Sequence, residues 1–159
     1  MAVDLNSIGI DPNAPEYQPM LERMQCNILK PHGRDFTAHL FLKFEGDRPQ
    51  VKAWLRTVAS RYVTNAQTQL EQSRAFTLHN IPGGLIGNLF LSAEGYRYLH
   101  LNVDDFPEEG GTFLDGMKHR GLDIIGSLIH TNNRDPDPSH WEAGYRKTIH
   151  AMLLLADDA

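Results

Sequence analysis

The sequence predicts one α+β domain in which an antiparallel sheet carries its helices on one face. Strand-like and helix-like apolar patterns follow the order strand, helix, strand, strand, helix, strand, which is typical of that class. The length of 159 residues suits one core and is too short for two domains of ordinary size. The closing segment "TIHAMLLLADDA" is apolar on both faces, so the sheet is expected to need cover on both sides.

The beginning of the chain lacks apolar periodicity. Residues 1–20 are rich in Asn, Pro and acidic side chains, so we interpret them as an extended or partly ordered arm. The folded domain is expected over residues 21–159. After a short apolar segment that Pro31 and Gly33 close, "TAHLFLKFEGD" alternates as a strand. Its two faces are expected to differ, with Leu40, Leu42 and Phe44 on one and Phe41 on the other.

A helix is predicted after the first strand. Asp47 is a suitable N-cap, and Pro49 is tolerated only near a helix start. The segment "DRPQVKAWLRTVASRYV" has helical spacing of its apolar residues and so predicts an amphipathic helix that lies on the sheet. The stripe consists of Val51, Trp54, Leu55, Val58 and Tyr62.

Two further strands are predicted after this helix. The segment "VTNAQTQLEQ" is polar but β-capable, which favours an edge strand. A turn at "NIPGG" then leads into the strand "GLIGNLFLS". In that strand Ile86 and Phe90 share one face and Leu85, Leu89 and Leu91 the other.

The second half of the chain is predicted to hold two short helical pieces and the last strand. Ser92 is a suitable N-cap for "AEGYRYLHL". A long connection rich in Gly, Pro and Asp follows, with a short helix near Phe113 to Arg120. The segment "WEAGYRKT" predicts another turn or two of helix before the final strand. This order of elements predicts a ferredoxin-like domain.

One face of the predicted sheet is left without cover. Burial of a large apolar side chain is worth about 2 kcal/mol, so four or five of them match the total stability of a domain, about 5–15 kcal/mol. We therefore predict that this open face packs on a second domain or subunit. The predicted interface residues are Phe41, Ile86, Phe90, Met152 and Leu154.

Composition disfavours several classes of function. The net charge of −5 and the scattering of the 15 Lys and Arg residues disfavour nucleic acid as a partner. No apolar stretch reaches the roughly 18 residues that a membrane span needs, and the amino terminus lacks the pattern of a signal peptide, which predicts a cytoplasmic protein. Cys26 is the single cysteine and is expected to be a small buried side chain.

Several histidines are candidate ligands of a metal ion or a haem iron. His39 and His150 lie on strands that are expected to be neighbours, so they could bind a metal or a haem; hydrogen-bonded, partly buried imidazoles are the favoured interpretation. The tract "HTNNRDPDPSH", from His130 to His140, has metal-ligand types but lacks the Gly and Glu of an EF-hand loop. The motif "NIPGGLIG" has no following Lys-Ser pair and is interpreted as a turn. No metal site is predicted.

Four segments, in order, carry a resemblance to a known family. They are "MQCNILKPHGRD", "HLFLKF", "FLDGMKHR" and "HWEAGYRKTIHAMLLLADD". The chain from about Leu21 onward resembles the amino-terminal half of dye-decolourising peroxidases, which are haem enzymes of the dimeric α+β barrel superfamily. Cys26 stands where the family usually has Gly in a "QGNIL" pattern. The resemblance implies two ferredoxin-like domains packed sheet against sheet, with haem in the second.

The resemblance also implies that the catalytic motifs of the family are absent from this chain. The distal Gly-x-x-Asp-Gly signature, a distal arginine and the proximal histidine correspond to positions beyond Ala159. Asp115 in "GTFLDG" follows Gly111 by four positions rather than three, and we interpret it as part of a turn or helix end. No catalytic residue is therefore assigned. Haem is expected in the complete enzyme and not in this chain alone.

Two functions remain open at this point. The chain is either one domain of a peroxidase that uses hydrogen peroxide and needs a second, haem-carrying half, or a non-catalytic homodimeric α+β barrel that binds or interacts. In the second case the partner is another copy of this chain. The absorbance of the protein after addition of haemin distinguishes the two.

Overall fold

A computed structural model describes residues 9–103, 113–116 and 137–158. Three strands, β1 (Phe36–Leu42), β2 (Ile86–Leu91) and β3 (Ala151–Asp157), form a sheet of order β1–β3–β2. The backbone N–H of His150 donates to Leu42, whereas the N–H of Asp35 donates to the side chain of Asp158, so β3 runs antiparallel to β1. The predicted α+β class with an antiparallel sheet is confirmed.

The described helices precede β1 or connect the strands. They are α1 (Gln18–Leu21), α2 (Arg48–Tyr62), α3 (Ala66–His79), α4 (Ala93–Tyr98) and α5 (Ala143–Arg146), with 3₁₀ turns at Pro15–Tyr17 and Pro138–His140. Residues 113–116 are helical; the rest of the helix predicted near Phe113 to Arg120 lies outside the described residues. No helix in the described ranges is long and apolar enough to cross a membrane.

The predicted helix caps are confirmed. The carboxylate of Asp47 accepts the N–H of Gln50 at 2.9 Å, and the hydroxyl of Ser92 accepts the N–H of Gly95 at 3.1 Å. Each cap satisfies an N–H that has no partner within the first helical turn. Capping therefore fixes where α2 and α4 begin. The short helix predicted in "WEAGYRKT" is α5.

The edge strand predicted in "VTNAQTQLEQ" is wrong, because α3 occupies most of that segment. The side chain of Asn65 accepts the N–H of Thr68 and caps the helix. Glutamine, leucine and glutamate are good helix formers, and Gln69 is buried where its amide bonds residues far away in sequence. Tertiary contacts thus override the weak β preference. Thr64 keeps the role expected of this segment, since its N–H donates to Gly87 of β2.

The start of the chain is held by local and distant contacts. Leu21 is fully buried, and the side chain of Asn13 accepts a 2.6 Å hydrogen bond from Arg74 on α3. The boundary between an arm of residues 1–20 and a domain of residues 21–159 stays a prediction.

The chain divides into two compact units. The first contains the described residues of Met1–Leu40, Trp54–Leu89 and Leu153–Ala159, and the second contains those of Phe41–Ala53 and Phe90–Met152. Each strand contributes residues to both units.

Arg34 links distant segments of the first unit. Its guanidinium donates to the side chain of Gln72 and to the carbonyl oxygen of Gly84, and it pairs with Asp158 at 3.2 Å. A Cβ at Gly83 would lie 1.9 Å from this guanidinium, which explains a glycine there. The "NIPGG" turn is therefore shaped to admit Arg34, consistent with the interpretation of these glycines as structural.

Candidate functional site

Three predicted interface residues belong to the second unit, and two of them are widely exposed. Phe41 is 47% exposed and Phe90 is 43% exposed, whereas Met152 is half-buried. Phe41 also packs edge-on against Tyr145 of α5, with ring centroids 5.4 Å apart. That these exposed rings form an interface stays a prediction.

The other two predicted interface residues belong to the first unit and are covered by the chain itself. Ile86 is 1% exposed and forms a core with Cys26 and Ala156, against which the half-buried Leu154 packs. The segment that contains Cys26 therefore already covers Ile86. A partner would gain little additional apolar area from Ile86.

Cys26 is buried, as predicted, and belongs to a polar network with Asn88. The Sγ of Cys26 donates to the Oδ1 of Asn88 at 3.3 Å, and the Nδ2 of Asn88 donates to the carbonyl oxygen of Cys26 at 2.8 Å. Asn27 adds a 2.8 Å bond to the same Oδ1. Burial raises the pKa of the Cys26 thiol, although its bond to Asn88 lowers it. The thiol is thus held protonated in a structural role.

The outer edge of β2 is blocked by Gln25 and Thr64. The Oε1 of Gln25 accepts the N–H of Leu89 at 2.8 Å, and its Nε2 donates to the carbonyl oxygen of Leu89 at 3.0 Å. The Oγ1 of Thr64 accepts the N–H of Gly87 at 3.1 Å, while its backbone N–H donates to Gly87 at 2.9 Å. Gly87 and Leu89, two of the outward-facing residues of this edge, are therefore satisfied. Sequence reasoning missed this arrangement, because a single Gln in "MQCN" has no periodic signal.

His150 is a buried, hydrogen-bonded imidazole, whereas His39 is exposed. The backbone N–H of Phe44 donates to the Nδ1 of His150 at 3.0 Å, and the two rings stack with centroids 5.2 Å apart. Tyr98 packs edge-on at 5.1 Å. Burial lowers the pKa of His150; Glu94 opposes this shift and Lys43 adds to it. The favoured interpretation of His150 as a structural histidine agrees with this geometry.

The one buried histidine of the described residues has a structural environment. Peroxidase haem takes an imidazole as its axial ligand, whereas the ring of His150 accepts the N–H of Phe44 through Nδ1 and is packed against Phe44 and Tyr98. Surface cavities of about 200 and about 430 Å³ in the first unit have no histidine among their lining residues. Within the described ranges, no group of three or more His, Cys, Asp or Glu residues could hold a metal ion.

Other candidates from the sequence lie at the margins of the described ranges. Asp115 is exposed within the helical residues 113–116. His119, Arg120 and residues 130–136 lie outside the described residues. Asp137 accepts the N–H of Ser139 at 2.8 Å, and this bond lowers the pKa of its carboxyl group. Asp137 therefore caps the turn at Pro138–His140.

Comparison with known proteins shows what the chain is similar to. No protein-family model matches it. It is 32% identical over 158 residues to "Multifunctional dye peroxidase DyP2" of Amycolatopsis sp., and the match covers 99% of this chain and 31% of that protein.

Solved structures give the same result. The crystal structure of a DyP-type peroxidase from Anabaena sp. superposes with a TM-score of 0.79 at 38% identity, over 94% of this chain and 31% of that one. The structure of DyP2 from Amycolatopsis sp. gives a TM-score of 0.74 at 32% identity, over 92% of this chain and 28% of that one.

These matches cover nearly all of this chain, whereas the chain spans less than a third of the length of each relative. Because both the amino-acid sequence and the fold of this chain agree with those of the relatives, the similarity is not limited to topology. The chain is therefore homologous to about one third of a DyP-type peroxidase, with the α+β fold of that part.

Proposed function

We propose that this chain is the amino-terminal domain of a DyP-type haem peroxidase and acts together with a second ferredoxin-like part that carries the haem. One observation carries the proposal: relatives named dye peroxidases match almost the whole chain but extend over about three times its length. A domain that corresponds to one part of a larger enzyme is expected to work in contact with the remainder.

The exposed aromatic residues support a contact with that remainder. Phe41 and Phe90 in the second unit present apolar rings to water. We propose that these rings and Met152 contact the haem-carrying part. Leu154, in the first unit, is proposed as a further contact with that part, whereas Ile86 is already covered by the chain itself. Packing of a second sheet on this face would bury them.

The proposal divides the chemistry between the two parts. Haem, when bound to the complete enzyme, supplies oxidation that depends on hydrogen peroxide. The two cavities described above have no histidine among their lining residues, which supports assigning to this chain a wall beside the haem and support for the part that binds it. We therefore expect the chain to be inactive alone.

The partner is the second ferredoxin-like part, either as a separate chain or within the same polypeptide. A homodimer of this chain is the competing outcome. We place the complex in the cytoplasm, where the free buried thiol of Cys26 would stay reduced.

Haemin binding tests the proposal directly. The purified chain is mixed with haemin, alone or after co-expression with the remainder of the Anabaena peroxidase, that is, without the third that matches. We expect a stoichiometric Soret band and guaiacol oxidation only from the co-expressed pair. A Soret band with peroxidation by this chain alone would contradict the proposal, and so would a colourless homodimer that ignores the co-expressed remainder.

A further inference from the structure

Residues 43–45, which follow β1, lie between two anchored positions of the second unit. The carbonyl oxygen of Leu42 accepts the N–H of His150 at 2.8 Å. The carbonyl oxygen of Gly46 accepts the hydroxyl of Tyr98, on α4, at 2.6 Å. Neither bond uses the imidazole of His150. We call residues 43–45 the connecting segment.

The connecting segment itself is held by the imidazole of His150. The Nδ1 of this ring accepts the N–H of Phe44 at 3.0 Å, and the two rings stack with centroids 5.2 Å apart. Phe44 is 6% exposed and His150 is 8% exposed, so this hydrogen bond is buried. A buried N–H that loses its acceptor is unfavourable, unless the backbone moves so that the N–H reaches water.

This hydrogen bond depends on the protonation of the ring. In the neutral imidazole one nitrogen can accept, whereas in the imidazolium both nitrogens are donors. A proton that binds Nδ1 therefore occupies the lone pair to which Phe44 now donates. The N–H of Phe44 then gains a new acceptor if the connecting segment opens to water.

The environment of the ring determines which state of the segment acid favours. In the described part of the chain, the titratable groups that act on His150 are Tyr98 and Glu94 on α4 and Lys43 in the connecting segment. Burial has the largest effect and lowers the pKa of His150; Glu94 raises this pKa and Lys43 lowers it. Both charged groups also have partners of their own, since Glu94 pairs with Arg97 at 2.5 Å and Lys43 with Glu45 at 2.9 Å. The closed segment therefore favours the neutral ring, and acid favours the open segment.

We propose that His150 is a pH-sensitive switch for the connecting segment: a proton from solvent binds Nδ1, the hydrogen bond from Phe44 breaks, and residues 43–45 open to water. The bonds to the carbonyl oxygens of Leu42 and Gly46 do not involve the imidazole, so opening ends at these two positions. The pairing of β1 with β3 is retained. The apolar ring of Phe44 thereby becomes accessible in acid. This inference does not depend on the proposed function.

Amide hydrogen exchange of the full chain, followed for each residue by NMR, tests this switch. Dividing the intrinsic exchange rate at each pH by the observed rate gives the protection of each amide. In the open segment His150 regains an ordinary pKa of about 6.5, whereas burial lowers its pKa in the closed segment. We therefore expect protection at Phe44 to fall about tenfold from pH 7.5 to pH 5.5. Equal protection at both pH values overturns the inference.

Low concentrations of urea distinguish opening of this segment from unfolding of the whole chain. Global unfolding exposes much surface and accelerates with urea, whereas opening of three residues exposes little. The amide of Thr64, which donates to Gly87 in the first unit, is the reference. At pH 5.5 we expect Phe44 to exchange faster than Thr64, at a rate that urea hardly changes below the unfolding transition. Equal rates with equal dependence on urea overturn the inference.

Two variants separate the proton from the other contacts of the segment. His150→Gln has no imidazole to protonate, so protection at Phe44 is expected to be the same at pH 7.5 and 5.5. Tyr98→Phe, the matched control, keeps an aromatic ring beside His150 but loses the bond to Gly46, and we expect it to retain the tenfold change at Phe44. A change in His150→Gln as large as in the parent chain overturns the inference, as does its loss in Tyr98→Phe. If a variant does not fold, the exchange of the parent chain decides.

Discussion

The imidazole of His150 accepts the backbone N–H of Phe44 and stacks on the ring of that same residue. The acceptor is Nδ1, so the bond requires the neutral ring. The backbone of His150 also contacts its neighbours, with its N–H donated to Leu42 and its carbonyl oxygen accepting from Ser92. His150 therefore joins the end of β1 to the residue that caps α4.

The stability of the chain is expected to fall as the pH falls below neutral. Burial lowers the pKa of His150 in the folded state, so the unfolded state, with an ordinary pKa of about 6.5, binds the proton more readily. The stabilisation is therefore complete above the unfolded pKa and is lost as the pH falls through it towards the folded pKa. Urea denaturation at pH 7.5 and 5.5 measures the change.

Substitution of this histidine provides the control for the pH effect. His150→Phe leaves the N–H of Phe44 without its acceptor and is expected to cost about 1–3 kcal/mol at pH 7.5. The free energy of unfolding of this variant should also change less between pH 7.5 and pH 5.5 than that of the parent chain. Gly144→Ala, whose added Cβ has nothing within 4 Å, should retain the slope of the parent chain. If the free energy of unfolding of His150→Phe depends on pH as steeply as that of the parent chain, His150 is not the source of the pH dependence.

Gly95 is expected to tolerate no side chain. A Cβ there would lie 2.1 Å from the carbonyl oxygen of His150, a backbone atom that cannot move freely. Gly95→Ala should therefore destabilise the chain by about 2 kcal/mol or more, measured by thermal and urea denaturation. Gly144→Ala is the matched control, because nothing lies within 4 Å of its added Cβ. Similar stability of both variants would contradict the packing at Gly95.

The amide of Asn88 is expected to be essential for stability. Asn88→Leu would leave the carbonyl oxygen of Cys26 and the Nδ2 of Asn27 without the partners they have now. Loss of these bonds at a buried site should cost about 2–4 kcal/mol in the free energy of unfolding. Gln50→Leu, at an exposed position outside this network, serves as the control. A fully stable Asn88→Leu would mean that the network contributes little.

The thiol of Cys26 is expected to react slowly in the folded chain. Burial raises its pKa, so little nucleophilic thiolate forms near neutral pH. Labelling with a disulfide reagent such as DTNB should be slow in buffer and rapid in urea. Immediate stoichiometric labelling of the folded chain would show that the segment over Ile86 opens readily.

Phe90 is expected to matter for association and not for the stability of the isolated chain. The ring is 43% exposed, so Phe90→Ser should shift the unfolding midpoint little while weakening co-purification with the remainder of the Anabaena peroxidase. Leu78→Ser removes an even more exposed side chain, on α3, and is expected to leave co-purification unchanged. If both substitutions weaken association equally, the contact is not specific to the sheet.

Local signals predicted some elements well. The cap residues Asp47 and Ser92 mark the starts of α2 and α4, since each satisfies an N–H in the first turn of its helix. The apolar run from Ala151 predicted β3, because a central strand is covered on both faces. These features depend on residues close together in sequence.

Features that depend on distant residues were missed. The helix α3 is held partly by Gln69, whose amide bonds Asn27 and Lys30, some forty positions earlier. Ile86 was assigned to the open face because a strand pattern does not show that Cys26 covers it. The blocked edge of β2 likewise requires Gln25 to reach Leu89. Such pairings have no periodicity and emerge only from the folded chain.

The contacts that block the outer edge of β2 also oppose growth of the sheet at that border. The hydroxyl of Thr64 and the amide of Gln25 bind the outward groups of Gly87 and Leu89, through which a strand of another molecule would pair. Strand-by-strand stacking into fibres is therefore disfavoured at these two residues.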